Sequence, residues 1–506
     1  MDDQRNFIMD FSPATSALIL LIFAALGTVL WGYRRSQKAG RLGLLAWGQS
    51  LAITVPWLVL LSCILLGVSL DLIGVVLILV ASAGAYIYLG NLRREAGQGE
   101  MIRKQALERL QTETQATESS TQAPADLATE PEIQPINPED LQTIKGIFGI
   151  DTFFATEAIP YQEGAIFKGN LRGEPEEAHQ KLTEKLGDRL GDKYRLFLVE
   201  DPEGKPVIVI LPSSNDPKTT SLAQKNVALV LLVATLATTL EAIGVLKGFD
   251  FFSNWQRYTE VLPLSLGMWL ILGVHELGHW VTSRKYNVKL SIPFFLPNWQ
   301  IASFGAITRF ESLLPNRTAL FDIAFAGPAA GGLISLLLLL GGFGLSNPDS
   351  LFKVPSQFFQ GSVLVGTLAR IFLGDGLQQA IVAIHPLTIL GWLGLVITAL
   401  NLLPAGCLDG GRIIQAIYGR KTARRTTIAT LVVLGLVALF NPANPIPLYW
   451  ALIIIFLQRE AERPSLNELL EPNDTRAILG LVALFLMLVT LIPLSPSLAG
   501  QLGIGA

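Results

Sequence analysis

Cysteine and histidine are scarce here, two and four among 506 residues. Cys63 sits in an apolar run and Cys407 in a glycine-rich turn, so no disulfide framework exists and the redox compartment is left open. Charge is thin as well, at 16% of residues; a net balance of -3 without a basic block removes nucleic acid as a partner. Neither a cleavable signal nor an Arg/Ser-rich transit segment is visible. What fills the chain is apolar: half of its residues are hydrophobic and the mean hydropathy is positive. That excludes an ordinary soluble globule and makes the lipid bilayer the first partner.

Apolar runs approaching the roughly 20 residues that cross a hydrocarbon core fall at 14–32, 48–69, 71–90, 224–246, 262–282, 319–344, 384–403, 425–440, 446–458 and 477–497, about ten in all. Lys and Arg cluster after the first, third, fifth, seventh and ninth of these, so the cation-rich ends alternate. This places both termini outside and the large hydrophilic insert inside. Residues 1–94 read as an N-terminal membrane segment with three spans. Residues 95–136, rich in Gln, Thr, Ala, Glu and Pro, read as a disordered tether. Residues 137–220 regain globular patterning, and 221–506 form a membrane core. In the insert, a strand-like Gly164–Leu171 precedes a helical Pro175–Leu190 with Glu177 and Lys181 at the i,i+4 spacing. Runs Tyr194–Val199 and Val207–Leu211 then flank Asp201-Pro202-Glu203-Gly204, a hairpin signal. The fold class is therefore mainly α: a polytopic membrane protein of about ten transmembrane helices, with a small soluble α/β domain inserted before the membrane core.

The chemistry concentrates in Val274-His275-Glu276-Leu277-Gly278-His279-Trp280, within an apolar run from Leu262 to Val281. Histidines four apart share one helix face and reach one metal ion, and the glutamate between them is placed as a base for a water. This is the H-E-x-x-H zinc pattern. The rival is a helix with interior histidines hydrogen-bonded to neighbouring helices. Three polar residues in one turn at membrane depth need a stronger reason than that. His179 reads as exposed on its helix, and His385, before Pro386 at a span boundary, as interfacial.

A catalytic zinc needs a third protein ligand and an open position. Asn401-Leu-Leu-Pro404-Ala-Gly-Cys-Leu408-Asp409-Gly410-Gly411-Arg412 offers Asp409, near the same boundary as His279. From spacing alone the alternative stands level: a helix-ending turn, Asp409 paired with Arg412 and the glycines capping. Cys407 is a weaker rival ligand. Residues 286–318, with β-like runs Lys289–Phe295 and Phe304–Phe310, fit a re-entrant loop folded over the site or, equally, an ordinary loop. In the first case its strand edge would pair with an unwound peptide. Gly327-Pro328-Ala329-Ala330-Gly331 reads as a close-packing seam, and 356–378 as an amphipathic surface helix.

H-E-L-G-H in a membrane helix, then G-P-A-A-G, then N-L-L-P-A-G-C-L-D-G together resemble the site-2 protease family of intramembrane zinc metalloproteases. Gly169-Asn170-Leu171-Arg172 in the soluble domain, and no PDZ-like insert between the catalytic spans, resemble its EGY-type branch of plastids and cyanobacteria. The likeness covers residues from about 137 onward. It implies His275, His279 and Asp409 as ligands of one zinc, Glu276 as catalytic base, and Asn401 as the residue holding the substrate or its developing oxyanion. It further implies peptide-bond hydrolysis within single-pass membrane-protein substrates whose helix unwinds at the site. The rivals are a proteolytically inactive assembly or binding factor and, further off, an ion transporter. With no transit segment visible, the expected setting is a bacterial, cyanobacterial-type plasma or thylakoid membrane, with the soluble domain and active-site entrance cytoplasmic.

Overall fold

The computed structural model describes residues 136–504, apart from Gln162, Pro202, Trp299, Ala443, Arg459 and Glu460, plus scattered positions between Gly32 and Leu92. The tether expected at 95–136 falls outside the described residues except for Ile136. The three expected N-terminal spans are described only at those scattered, helical positions.

The sheet-containing region comprises helix α1 (Pro138–Lys145), strands β1 (Phe153–Tyr161) and β2 (Gly164–Leu171), helix α2 (Pro175–Leu190), and strands β3 (Tyr194–Glu200) and β4 (Pro206–Pro212). Pro175 opens α2, where a missing N–H costs nothing, and Gly191 closes it at φ +57. The four strands form one antiparallel sheet in the order β1-β2-β4-β3. Phe153, Phe167, Leu182, Leu186, Leu198 and Ile208 are buried between sheet and helices. His179 is half-buried, not exposed as expected: its Nε2 lies 3.3 Å from the Leu196 carbonyl on β3, and burial pushes its pKa down.

The apolar region begins with α3 (Leu222–Leu246), started by a reciprocal cap between Ser221 and Gln224. It continues through α4 (Tyr258–Lys285), the hairpin of β5 (Phe294–Asn298) and β6 (Ala302–Ile307), and α5 (Arg317–Leu345). Then come β7 (Phe352–Pro355), α6 (Val363–Leu373), β8 (Ile381–Ile384), α7 (Pro386–Asn401), α8 (Asp409–Phe440), α9 (Ile446–Ile453), α10 (Asp474–Leu491) and α11 (Pro496–Gln501). Among the described residues five helices, α3, α4, α5, α8 and α10, are long and apolar enough to cross a membrane. About ten spans are thus not shown, the first three expected ones lying mostly outside the described residues. α7 and α9 are apolar but short, and the run expected at 425–440 is the second half of α8, which bends at Gly419 (φ 78). The 356–378 stretch is only partly the expected helix, α6 being flanked by 3-10 turns at Ser356–Gly361 and Gly374–Gln378. His385 caps α7, its Nδ1 accepting from the Leu387 N–H at 3.3 Å.

Small residues bring the central helices into contact. A Cβ on Gly278 of α4 would sit 2.5 Å from the Ala326 carbonyl of α5, and one on Gly391 of α7 2.3 Å from the Leu339 amide of α5. Such seams let backbones approach where lipid supplies no hydrophobic drive. The sheet-containing region and the apolar region are joined by a strap. The Leu198 N–H of β3 donates to Leu466 O (2.8 Å) and Glu468 N–H to Leu198 O (2.9 Å), while Leu466 and Asn467 N–H donate to Leu314 O and Pro315 O. β3 is an edge strand, so the strap covers one of the sheet's open edges. Arg317 closes the other side: its Nε and Nη2 donate to Ala416 O and Ile417 O, each at 2.8 Å, and Nη1 to Glu471 at 2.9 Å. Those carbonyls lie at the end of the first half of α8, where a cation is favoured.

Candidate metal centre

His275 and His279, one turn apart on α4, are both buried. The His279 Nδ1 hydrogen is directed at the Ile323 carbonyl of α5, 2.7 Å away. That bond fixes the tautomer and leaves Nε2 as a lone-pair donor. His275 Nε2 lies 3.2 Å from His279 Nε2 and 3.2 Å from Asp409 Oδ2, and the last edge, His279 Nε2 to Asp409 Oδ2, is 3.5 Å. Three donor atoms thus form a nearly equilateral triangle. Ligands bound tetrahedrally at about 2.0–2.1 Å stand roughly 3.3 Å apart. Two imidazoles and one carboxylate at those separations fit a zinc ion.

Asp409 reaches the triangle because of the turn before α8. Gly406 has φ +50, and its N–H donates to Thr427 Oγ1 at 2.8 Å. A Cβ on Gly410 would meet Leu402 O at 1.9 Å, and one on Gly411 the Gly406 carbonyl at 2.3 Å. Only glycine allows the chain to fold back so tightly there. The glycines therefore make room for the turn, and Asp409 faces the histidines. Arg412 takes a different partner, its Nε and Nη2 lying 3.1 and 2.9 Å from Glu462 Oε2.

Glu276 is half-buried beside the triangle, with a carboxylate oxygen inside the cluster it forms with His275 and His279. Its Oε2 accepts from Thr308 Oγ1 at 2.7 Å, just past the end of β6. The 286–318 segment is thus folded against the site, as one of its two sequence readings held, although its strands lie at 294–298 and 302–307. Asn401, at the end of α7, directs its Nδ2 hydrogens at Ile397 O (2.9 Å) and Phe304 O (3.3 Å). Thr308, Arg412 and Glu462 went unmarked as site residues in the sequence. Their roles come from pairings of 32 and 50 residues' separation, which no local pattern carries.

Gly327 of α5 guards the centre. A Cβ there would lie 2.1 Å from His279 Nε2. Gly327→Ala is therefore expected to push the ring from its place and leave the purified protein with well under one zinc per chain. Metal analysis of the variant beside the wild type checks this, and an unchanged zinc content would mean that α5 yields instead.

Residues 263–441 match peptidase family M50, and residues 142–217 match the EGY3 middle domain. Arabidopsis thaliana has a relative named "Probable zinc metalloprotease EGY2, chloroplastic", 40% identical over 366 residues, covering 70% of this chain and 65% of the relative. Another, "Probable zinc metalloprotease EGY1, chloroplastic", is 38% identical over 409 residues, covering 73% of this chain and 74% of the relative. Rice has "Probable zinc metalloprotease EGY3, chloroplastic", 34% identical over 376 residues, at 70% and 64%. The match thus spans just under two thirds of some of these relatives and more of others. No solved structure matches. The expectation of a bacterial membrane is corrected by these findings, since the relatives are chloroplastic plant proteins.

Proposed function

This chain belongs to peptidase family M50, in its EGY zinc metalloprotease branch, and from that premise we propose that it is an intramembrane endopeptidase of a plastid membrane. Its substrates are single-pass membrane proteins, cut within or near their spans. The reading rests on one observation: the triangle of His275, His279 and Asp409 with Glu276 at its side, on helices apolar enough to lie in a bilayer. His275, His279 and Asp409 hold the metal. Zinc bound there supplies a Lewis acid for the scissile carbonyl and acidifies the attacking water. Glu276 takes the proton of that water and returns it to the nitrogen of the departing amine, so that the C–N bond breaks without a charged leaving group. Asn401 has both amide hydrogens engaged by protein carbonyls, so its Oδ1 is the atom suited to a substrate, as an acceptor for a peptide N–H. Helical amides are shielded by their own hydrogen bonds. Local unwinding therefore precedes attack, and the β5–β6 hairpin offers a strand beside the site against which an unwound peptide can pair.

Chelation tests the proposal. The purified protein, incubated with a mixture of single-pass membrane proteins, is expected to give new fragments with ends inside predicted spans. Stripping the metal should stop the cleavage and added zinc restore it. Zinc-replete protein that cuts none of the mixture, or cuts only soluble loops, would turn the reading toward the assembly-factor alternative.

A further inference from the structure

We propose that Thr308 is a positioning residue for the Glu276 carboxylate, and that Arg412 and Glu462 hold Thr308 in place. The inference rests on the protease reading above and deepens it. Thr308 is buried, and both of its polar ends are committed. The hydroxyl donates to Glu276 Oε2 at 2.7 Å, and the carbonyl accepts from Arg412 Nη2 at 2.8 Å. Arg412 is itself buried and stands one helical turn past Asp409, the proposed metal ligand. Its guanidinium is clamped by Glu462 Oε2 at 2.9 and 3.1 Å and lies over the Phe310 ring at 4.6 Å.

A glutamate side chain has three rotatable bonds, and a base must be held close to one geometry to take a proton in the transition state. A hydroxyl donated to a carboxylate is a short, charge-assisted bond. Threonine is also stiff at χ1 because it is β-branched, so fixing its backbone fixes its hydroxyl. With Oε2 occupied by Thr308, Oε1 is the oxygen left for the water proton. The same turn of α8 thus carries the metal's carboxylate at Asp409 and, through Arg412, sets the strand end that aims the base. A displacement of metal and base relative to each other is resisted by a single rigid element.

The test compares wild type, Thr308→Val, Thr308→Ser and Glu276→Gln as full chains in detergent with zinc. Valine keeps the shape and removes the hydroxyl. Three readouts are taken: zinc per chain, kcat and KM separately, and the infrared carboxylate band of Glu276, identified by its loss in Glu276→Gln. Thr308→Val is expected to lower kcat by about 10- to 100-fold, the range typical of a supporting residue, with KM and zinc content unchanged and the Glu276 band shifted. Thr308→Ser should restore both kcat and band. An unshifted band with wild-type kcat overturns the proposal. Loss of zinc together with kcat also overturns it, by making Thr308 part of the scaffold alone. Should the wild type itself cleave nothing, the protease reading falls, and the band still decides: a shift in Thr308→Val sustains the positioning contact, and no shift removes it.

Discussion

Glu276→Gln is expected to retain one zinc per chain while cleaving its substrates about 100- to 10,000-fold more slowly, the usual contribution of a positioned general base. Glutamine has the volume of glutamate and can still accept from Thr308, so the contact at Oε2 survives the change. The three atoms that form the triangle belong to other residues, so the metal has no reason to leave. What disappears is the capacity to take a proton, since an amide is not a base at neutral pH. The paired measurement is zinc by elemental analysis and fragment formation by mass spectrometry on identical preparations. Activity retained at wild-type level with zinc present would remove Glu276 from the mechanism. Zinc lost from the variant would instead make Glu276 a ligand, its carboxylate standing within the donor cluster of His275 and His279.

What was legible in the sequence divides by range. The two histidines and Glu276 lie within one helical turn, so their spacing alone announces the chemistry. The strand at Gly164–Leu171 and the helix at Pro175–Leu190 were readable to the residue, because alternation, a leading proline and a closing glycine agree. β1 was not. Its pairing with β2 shifts between Ala155 and Glu157, which breaks the alternation that marks a strand, and Pro160 near its end argues against one. The side chain of Asp409 was a coin toss in sequence, because its partner lies 134 residues away and Arg412 stands nearer. In the structure Glu462 occupies Arg412, and the Asp409 carboxylate stands 3.2 Å from His275 Nε2. The strap is a case of the same kind. Nothing in the sequence singles out Leu466 and Asn467, and only the edge of β3 on one side and Leu314–Pro315 on the other make them a tie. Hydropathy leaves the span count open in a different way: an apolar run of 16 residues, as at α7, has the same pattern whether it crosses lipid or is buried among neighbouring helices.

Asp409→Ala is the change that separates a catalytic metal from a structural one. Removing the carboxylate leaves two imidazoles, and zinc affinity is expected to fall by more than about 100-fold, beyond the 10- to 100-fold cost of losing a residue that merely supports a ligand. Cleavage should vanish with the metal. Folding should not. Arg412 would not be orphaned, since Glu462 and the Thr308 carbonyl already satisfy it, and the glycine turn that places position 409 does not depend on its side chain. A metal that held the fold together would instead be closed by four protein ligands, and its loss would melt the helices around it. The discriminating measurement is therefore thermal unfolding beside zinc content. Metal lost with the helical signal and unfolding midpoint near wild type means an open site on a prebuilt scaffold, as peptide hydrolysis needs. Metal and midpoint lost together would mean that zinc is part of the architecture, and the binding-factor reading would then account for the centre better than catalysis.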